Sequence, residues 1–298
     1  MISRRATVLA MGLATLQASA QDRFADVTVE SQPVADGIFM LTGSGGNIGV
    51  MVGDDATFVV DDQFAELAGR IEAAITKLSD VPIGFILNTH WHGDHTGGNE
   101  YFANSGAVVV AHENVRKRMS VESFNKLRNT TTPAAPDAAR PVVTFSSDIT
   151  LHLNGKTVEV KHLSAAHTDG DAAVLFVDDN ILHAGDLLFN GLYPYIDTSS
   201  GGSINGLIAA ATDMLDWVDA DTKIIPGHGP LANRDDLRAY RDFLTTMRDA
   251  IGAMIEQGNT VEEVLAARPT ADYDASLNRV GFFTPEQWVT LVYNDLSR

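Results

Sequence analysis

Six consecutive residues, His90-Trp91-His92-Gly93-Asp94-His95, put three imidazoles and a carboxylate on one short piece of chain. Neutral imidazole and carboxylate are donors that zinc takes in catalytic sites. In extended backbone, residues two apart project to the same side, so His90 and His92 can grip one ion. Asp94 and His95 follow on the next turn of chain and are placed for a second. A two-metal site takes about six or seven protein ligands, more than this segment holds. The chain must therefore bring distant strand ends to one point, which excludes most folds.

Three later fragments are equipped to complete the set. Ala166-His167-Thr168-Asp169-Gly170-Asp171 places a histidine in a tight turn directly before a strand. His183-Ala184-Gly185-Asp186 ends a short strand with a carboxylate after glycine. Pro226-Gly227-His228-Gly229-Pro230 holds a histidine between glycines and prolines, after a buried strand. Glycine at such turns lets backbone come close to an ion.

The patterning predicts strands at Gly37–Leu41, Ile48–Gly53 and Thr57–Val60, then a helix over Phe64–Leu78 with Leu67, Ile71, Ile75 and Leu78 on one face. The apolar run Ile83–Leu87 reads as a buried strand that delivers the histidine segment at its C-terminal end. A strand at Val108–Ala111 and a helix over Glu113–Leu127 follow. Asn129–Pro141, rich in Thr and Pro, reads as a connector or flap. From about residue 141 a second strand-rich half resumes: Val142–Phe145, Ile149–Leu153, Val158–His162, Ala172–Val177 and Ile181–His183, with Asn154-Gly155 as a hairpin turn. A helix over Ile204–Trp217, a strand at Lys223–Pro226 and C-terminal helices over about 235–298 complete the chain. The last helix opens on Thr284-Pro285-Glu286-Gln287, a cap with Pro at the first turn. Two strand-rich halves, each with flanking helices, predict one α/β (α+β) domain over 21–298 in four layers, αβ/βα.

Over roughly Gly37–Pro230, these motifs make the chain similar to the metallo-β-lactamase superfamily of hydrolases. The resemblance implies a four-layer sandwich with two zinc ions at the seam between its sheets. It implies His90, His92 and His167 on one ion, Asp94, His95 and His228 on the other, and Asp186 bridging them. It also implies that Asp61 buttresses the site from behind. Hydroxide generated at the zinc pair would attack a carbonyl, with Asp94 as proton shuttle. Members that hydrolyse antibiotics in the commonest subclass carry cysteine at the Asp186 position and lysine three residues later, where this chain has Phe189. Bridging aspartate resembles instead glyoxalase II, lactonases and many exported hydrolases. Glyoxalase II members carry a basic helical end, however, and this C-terminal segment is acidic. The expected reaction is hydrolysis of a small ester, lactone or amide, with β-lactams as weak substrates. Asn190, Tyr193 and Tyr195 are candidates to line the pocket. The alternative is a mononuclear iron persulfide-type dioxygenase on the same fold. The di-iron branch prefers Glu at the His92 position.

Composition narrows the ligand. There are no cysteines, so thiolate ligands and disulfides are excluded. Net charge is −18, a field that repels phosphate backbones and speaks against nucleic-acid partners. A small, neutral or mildly anionic substrate fits it. Arg4 and Arg5, the apolar run Ala6–Leu16 and Ala18-Ser19-Ala20 describe an export signal over residues 1–20, which predicts a periplasmic or secreted protein. The chain contains no run of eighteen apolar residues that would span a membrane stably. His112, His152, His162 and His183 are read as structural or surface residues, and oligomeric state is left open.

Overall fold

The computed structural model describes residues 23–125, 129–277 and 283–298, and the expected export signal lies outside these residues. Two sheets form from the two halves of the chain. The first runs in the order Glu30–Ala35, Ile38–Thr42, Ile48–Met51, Thr57–Val60, Ile83–Asn88, Val108–His112, Val143–Phe145. Its first four strands are antiparallel neighbours, and the rest add in parallel through helical crossovers. The second runs Asp148–Leu153, Lys156–His162, Ala172–Phe176, Ile181–Phe189, Lys223–His228, Ala232–Asn233, with one parallel pairing, between Ile181–Phe189 and Lys223–His228.

Three apolar cores account for the layering. Ile38, Met40, Phe58, Val60, Leu87 and Val110 of the first sheet meet Val158, Val160, Val174, Phe176 and Ile225 of the second. The outer face of the first sheet packs on the helix Ala68–Ile75 and on Phe102 of Asn99–Asn104. That of the second packs on Ile204–Trp217, Arg234–Glu256 and Pro285–Leu296. Burying both faces of each sheet leaves the strand ends at the seam open to loops, and the histidine segments emerge there. The architecture is the expected four-layer αβ/βα sandwich.

The hairpin turn at Asn154-Gly155 forms as read, both residues at positive φ (56° and 69°) between the paired Leu153 and Lys156. The caps at Asn233, Thr260 and Thr284 are reciprocal capping boxes. Elsewhere the boundaries move. The helix expected over Glu113–Leu127 spans Glu113–Met119, because Ser120 turns its hydroxyl back onto the Arg116 carbonyl and closes the helix. Ser123–Asn125, within the expected helix, then pairs with Thr130–Thr132, within the expected connector, as a two-stranded ribbon. The helix expected from Phe64 begins as a tight turn at Ala65–Leu67 and is α-helical over Ala68–Ile75. The strand expected to stop at His183 continues to Phe189, with a register break at Gly185 that re-aims Asp186.

Candidate metal centre

The strand Ile83–Asn88 lies between two parallel neighbours, and its carboxyl end carries Thr89 and His90 to the seam. His92, still extended (φ −65°, ψ 145°), precedes one helical turn over Gly93–Thr96, which brings Asp94 and His95 round to the same point. From the second sheet come His167, in the turn before Ala172–Phe176, and Asp186 and His228, on adjacent strands. Glycine is obligatory at two approaches. A Cβ on Gly227 would lie 2.0 Å from Asp186 Oδ1, and one on Gly46 would lie 2.1 Å from His95 Cε1.

The side chains form two groups, His90, His92, His167 and Asp186, and Asp94, His95 and His228; within each the donor atoms lie within 4.8 Å of one another. His92 Nδ1 is 3.1 Å from His90 Nε2 and 2.9 Å from His167 Nε2. His228 Nε2 is 3.4 Å from His95 Nε2 and 3.5 Å from Asp94 Oδ2. Asp186 stands between the groups. Its Oδ2 is 3.4 Å from His167 Nε2 and 3.8 Å from His90 Nε2. Its Oδ1 is 3.2 Å from His95 Nε2 and 3.4 Å from His228 Nε2.

Hydrogen bonds behind the rings decide which nitrogen faces inward. His167 Nδ1 donates to the Tyr195 carbonyl (2.8 Å), so its Nε2 is a bare lone pair. His92 Nε2 donates to Asp197 Oδ2 (3.0 Å), so its Nδ1 is bare. His95 Nδ1 donates to Asp61 Oδ2 (2.7 Å). Thr89 Oγ donates to Asp61 Oδ2 (2.8 Å) and thereby accepts from His90 Nδ1 (3.0 Å). Three rings, His90, His92 and His167, therefore turn lone pairs toward one another at contact distance, which is repulsive unless positive charge lies among them. Asp186 Oδ1, buried, makes no hydrogen bond among the described residues. This donor set fits divalent cations bound by nitrogen and oxygen.

Burial and neighbouring charge set the electrostatics. Burial alone would raise the Asp186 carboxyl, but His228, His95, His167 and His90 together hold it well below the usual carboxylate range. Burial would lower His95, but the carboxylates of Asp186, Asp61 and Asp94 raise its proton affinity well above that of free imidazole. For His167 burial wins, and its pKa falls to about 4, leaving the ring neutral and able to ligate.

A cleft of about 290 Å³ opens onto the two groups, walled by Arg23, Phe64, Trp91, His92, Gly93, Asp94, Asn125, Thr130, Thr132, Asp186, Tyr195 and His228. Of the three residues expected to line the pocket, only Tyr195 stands on this wall, stacked on His92 at 5.7 Å. Tyr193 lies in the helical core against Phe243 and Trp288, its hydroxyl donating to Asp274 (2.7 Å). Two residues apart, the tyrosines would share a side in a regular strand, but residues 193–197 form none, and the irregular backbone parts them. Asn190 donates to the Pro230 carbonyl (3.0 Å) and braces the turn after His228. Asp61 lies fully buried at φ +63°, accepting from the Thr89 amide and from His95 Nδ1. Sequence reasoning missed Asp197, Thr89, Asn47 and Arg23. Asn47 Nδ2 donates to the carbonyls of Pro226 and Gly229, both at 2.9 Å, and clamps the His228 turn from 179 or more residues away. No local pattern marks these residues, because their partners come from other elements: Asp197 and Asn47 reach the opposite half, while Thr89 meets Asp61 and Arg23 meets Phe64.

A model of the metallo-beta-lactamase superfamily matches residues 41–241. A hydroxyacylglutathione hydrolase of Polaromonas sp. is 31% identical over 164 residues, 54% of this chain and 54% of that protein. A type 2 metallo-beta-lactamase of Bacteroides fragilis is 27% identical over 151 residues, 49% of this chain and 52% of that protein. The chain thus spans about half the length of these curated relatives. Among solved structures, the metallo-beta-lactamase from Pontibacter korlensis superposes with a TM-score of 0.61 at 19% identity, covering 73% of this chain and 99% of that one.

Proposed function

From the premise that this chain belongs to the metallo-β-lactamase superfamily, we propose that it is an exported dinuclear zinc hydrolase of small ester, thioester, lactone or amide substrates. β-Lactams are at best weak substrates in this reading. The observation that carries the two-ion reading is Asp186, whose two oxygens face two separate groups of donors. His90, His92 and His167 would hold one ion, Asp94, His95 and His228 the other, with Asp186 shared. Divalent ions supply Lewis acidity and lower the pKa of water to roughly 7. The chain supplies the rest. Asp94, the more exposed of the two carboxylates at the cleft, is placed to take a proton from attacking water and return it to the leaving group. Asp61 and Asp197 hold His95 and His92 in ligating orientation. Tyr195, Trp91 and Phe64 give the cleft apolar walls that exclude bulk water. Thioesters enter the substrate range because the first relative is named for one, although the chain spans only half of it.

The test is metal content and turnover of full-length protein, stripped with EDTA and reloaded with zinc. Two ions per chain are expected, and Asp186→Ala should retain at most one ion and lose about 10³-fold in hydrolysis, the several kcal/mol that metal-based charge stabilisation is worth. A protein that stays metal-free in excess zinc, or full turnover in Asp186→Ala, overturns the reading. The mononuclear iron alternative predicts one iron per chain and oxygen consumption; a complete second donor group weighs against it. Export rests on the residue 1–20 pattern alone, and N-terminal sequencing of secreted material should begin at Gln21. Among the described residues, no helix is long and apolar enough to cross a membrane.

A further inference from the structure

Arg23 is the only lysine or arginine among the described residues of the cleft wall. Its guanidinium carbon sits 4.3 Å from the ring centroid of Phe24 and 4.6 Å from that of Phe64. Phe64 lines the same cleft, and its ring edge and the Asp94 backbone both press on Gly45, at 3.3 and 2.9 Å from where a Cβ would stand. One phenyl ring thus separates the cation from the metal-binding segment.

The position is anchored. Phe24 is 3% exposed and packs into the core with Leu41, Ile48 and Leu67. Arg70 donates to the carbonyls of Phe24 and Val27 at 2.5 and 2.7 Å, fixing the turn that carries Arg23. The guanidinium itself is exposed and makes no ion pair among the described residues, in a chain where acidic groups outnumber basic ones nearly two to one. Stacking on an aromatic face leaves the edge of a guanidinium, with its forked N–H donors, free for a planar anion.

We propose that Arg23 is the specificity-determining residue of this cleft, and that the preferred substrate carries a carboxylate about one ring's breadth from the bond that is cleaved. The inference deepens the hydrolase reading above and rests on it for the reaction. An exposed charge-assisted contact of this kind is worth about tenfold in affinity, or about 1.4 kcal/mol.

The experiment compares wild type, Arg23→Ala and Arg23→Lys, each full-length and zinc-loaded, on two esters with one leaving group: 4-nitrophenyl acetate and mono-4-nitrophenyl succinate. Arg23→Ala should raise KM about tenfold for the succinate ester with kcat unchanged. The acetate ester should stay within about twofold, and Arg23→Lys should recover part of the loss. In parallel, calorimetry measures binding of 4-phenylbutyrate and its neutral amide, neither requiring turnover. Arg23→Ala should weaken the carboxylate about tenfold and leave the amide unchanged. If neither ester is hydrolysed but this binding difference persists, the hydrolase reading falls and the anion site stands. If the variant changes both members of each pair equally, or changes neither, the anion site is overturned.

Discussion

Asp186 carries two opposed demands. It is 5% exposed, which disfavours a charged carboxylate, yet four imidazoles surround it and keep it ionised. The conflict is resolved only if its charge is matched, as it would be by cations. Hydrogen bonds from behind orient the imidazoles: Asp197 holds His92 and Asp61 holds His95. Asp197 accepts from His92 and from the hydroxyls of Ser199 and Ser200, so it is itself fixed. Asp197→Ala should lower zinc affinity about 10- to 100-fold, the usual effect of removing a ligand's hydrogen-bond partner, while the far-ultraviolet spectrum is unchanged. Competition with a chromophoric chelator measures this. An unchanged zinc affinity would show that His92 needs no such support.

At the scale of elements, two couplings cross between layers. Asn47, in the turn before Ile48–Met51, satisfies two carbonyls flanking His228 on the opposite sheet, that of Pro226 buried and that of Gly229 half-buried. Asn47→Ala leaves both without that donor and should cost about 1–3 kcal/mol in urea denaturation. The second coupling is a stack of His112 on His162, centroids 3.7 Å apart and planes within 9°. His112 ends its strand and accepts from the Asn114 amide as the cap of the helix Glu113–Met119. Burial, then the neighbouring His162 ring, lowers the His112 pKa below its ordinary 6.5. As pH falls below 6.5 the unfolded chain therefore takes this proton before the folded one. The stabilising contribution is present above that pH and is lost on acidification. Thermal melts between pH 7.5 and 5.5 should fall less steeply in His162→Gln than in wild type. Parallel slopes would remove the stack from the acid response.

For the whole molecule, the donor groups draw residues 90–95 from one sheet and 167, 186 and 228 from the other, so a cation bound there ties the halves together. A ligand that binds only the folded state stabilises it by about 4 kcal/mol at a thousandfold excess over its Kd. For a chain this size that corresponds to a rise in Tm on the order of 10 °C. Calorimetry with excess zinc and then with EDTA should show that difference in wild type and little of it in His228→Ala.

How much of this was legible beforehand follows from range. Imidazoles and carboxylates at strand ends beside glycines are chemically conspicuous, and the two periodicities mark which runs must be buried, so the ligand candidates, most elements and the four layers could be read from order alone. The Glu113–Leu127 helix could not be placed to its end, because a side-chain bond at Ser120 and a ribbon with Thr130–Thr132 override a helical pattern. Nor could the partners of those ligands be seen. Asp197, Thr89, Asn47 and Arg23 are ordinary residues locally, and Tyr193 and Tyr195 look interchangeable until the fold sends one to the core and the other to the cleft. Chemistry carried by a side chain is written in its identity. Orientation, tautomer and pocket wall depend on which surfaces meet, and those distances exist only once the two sheets have packed.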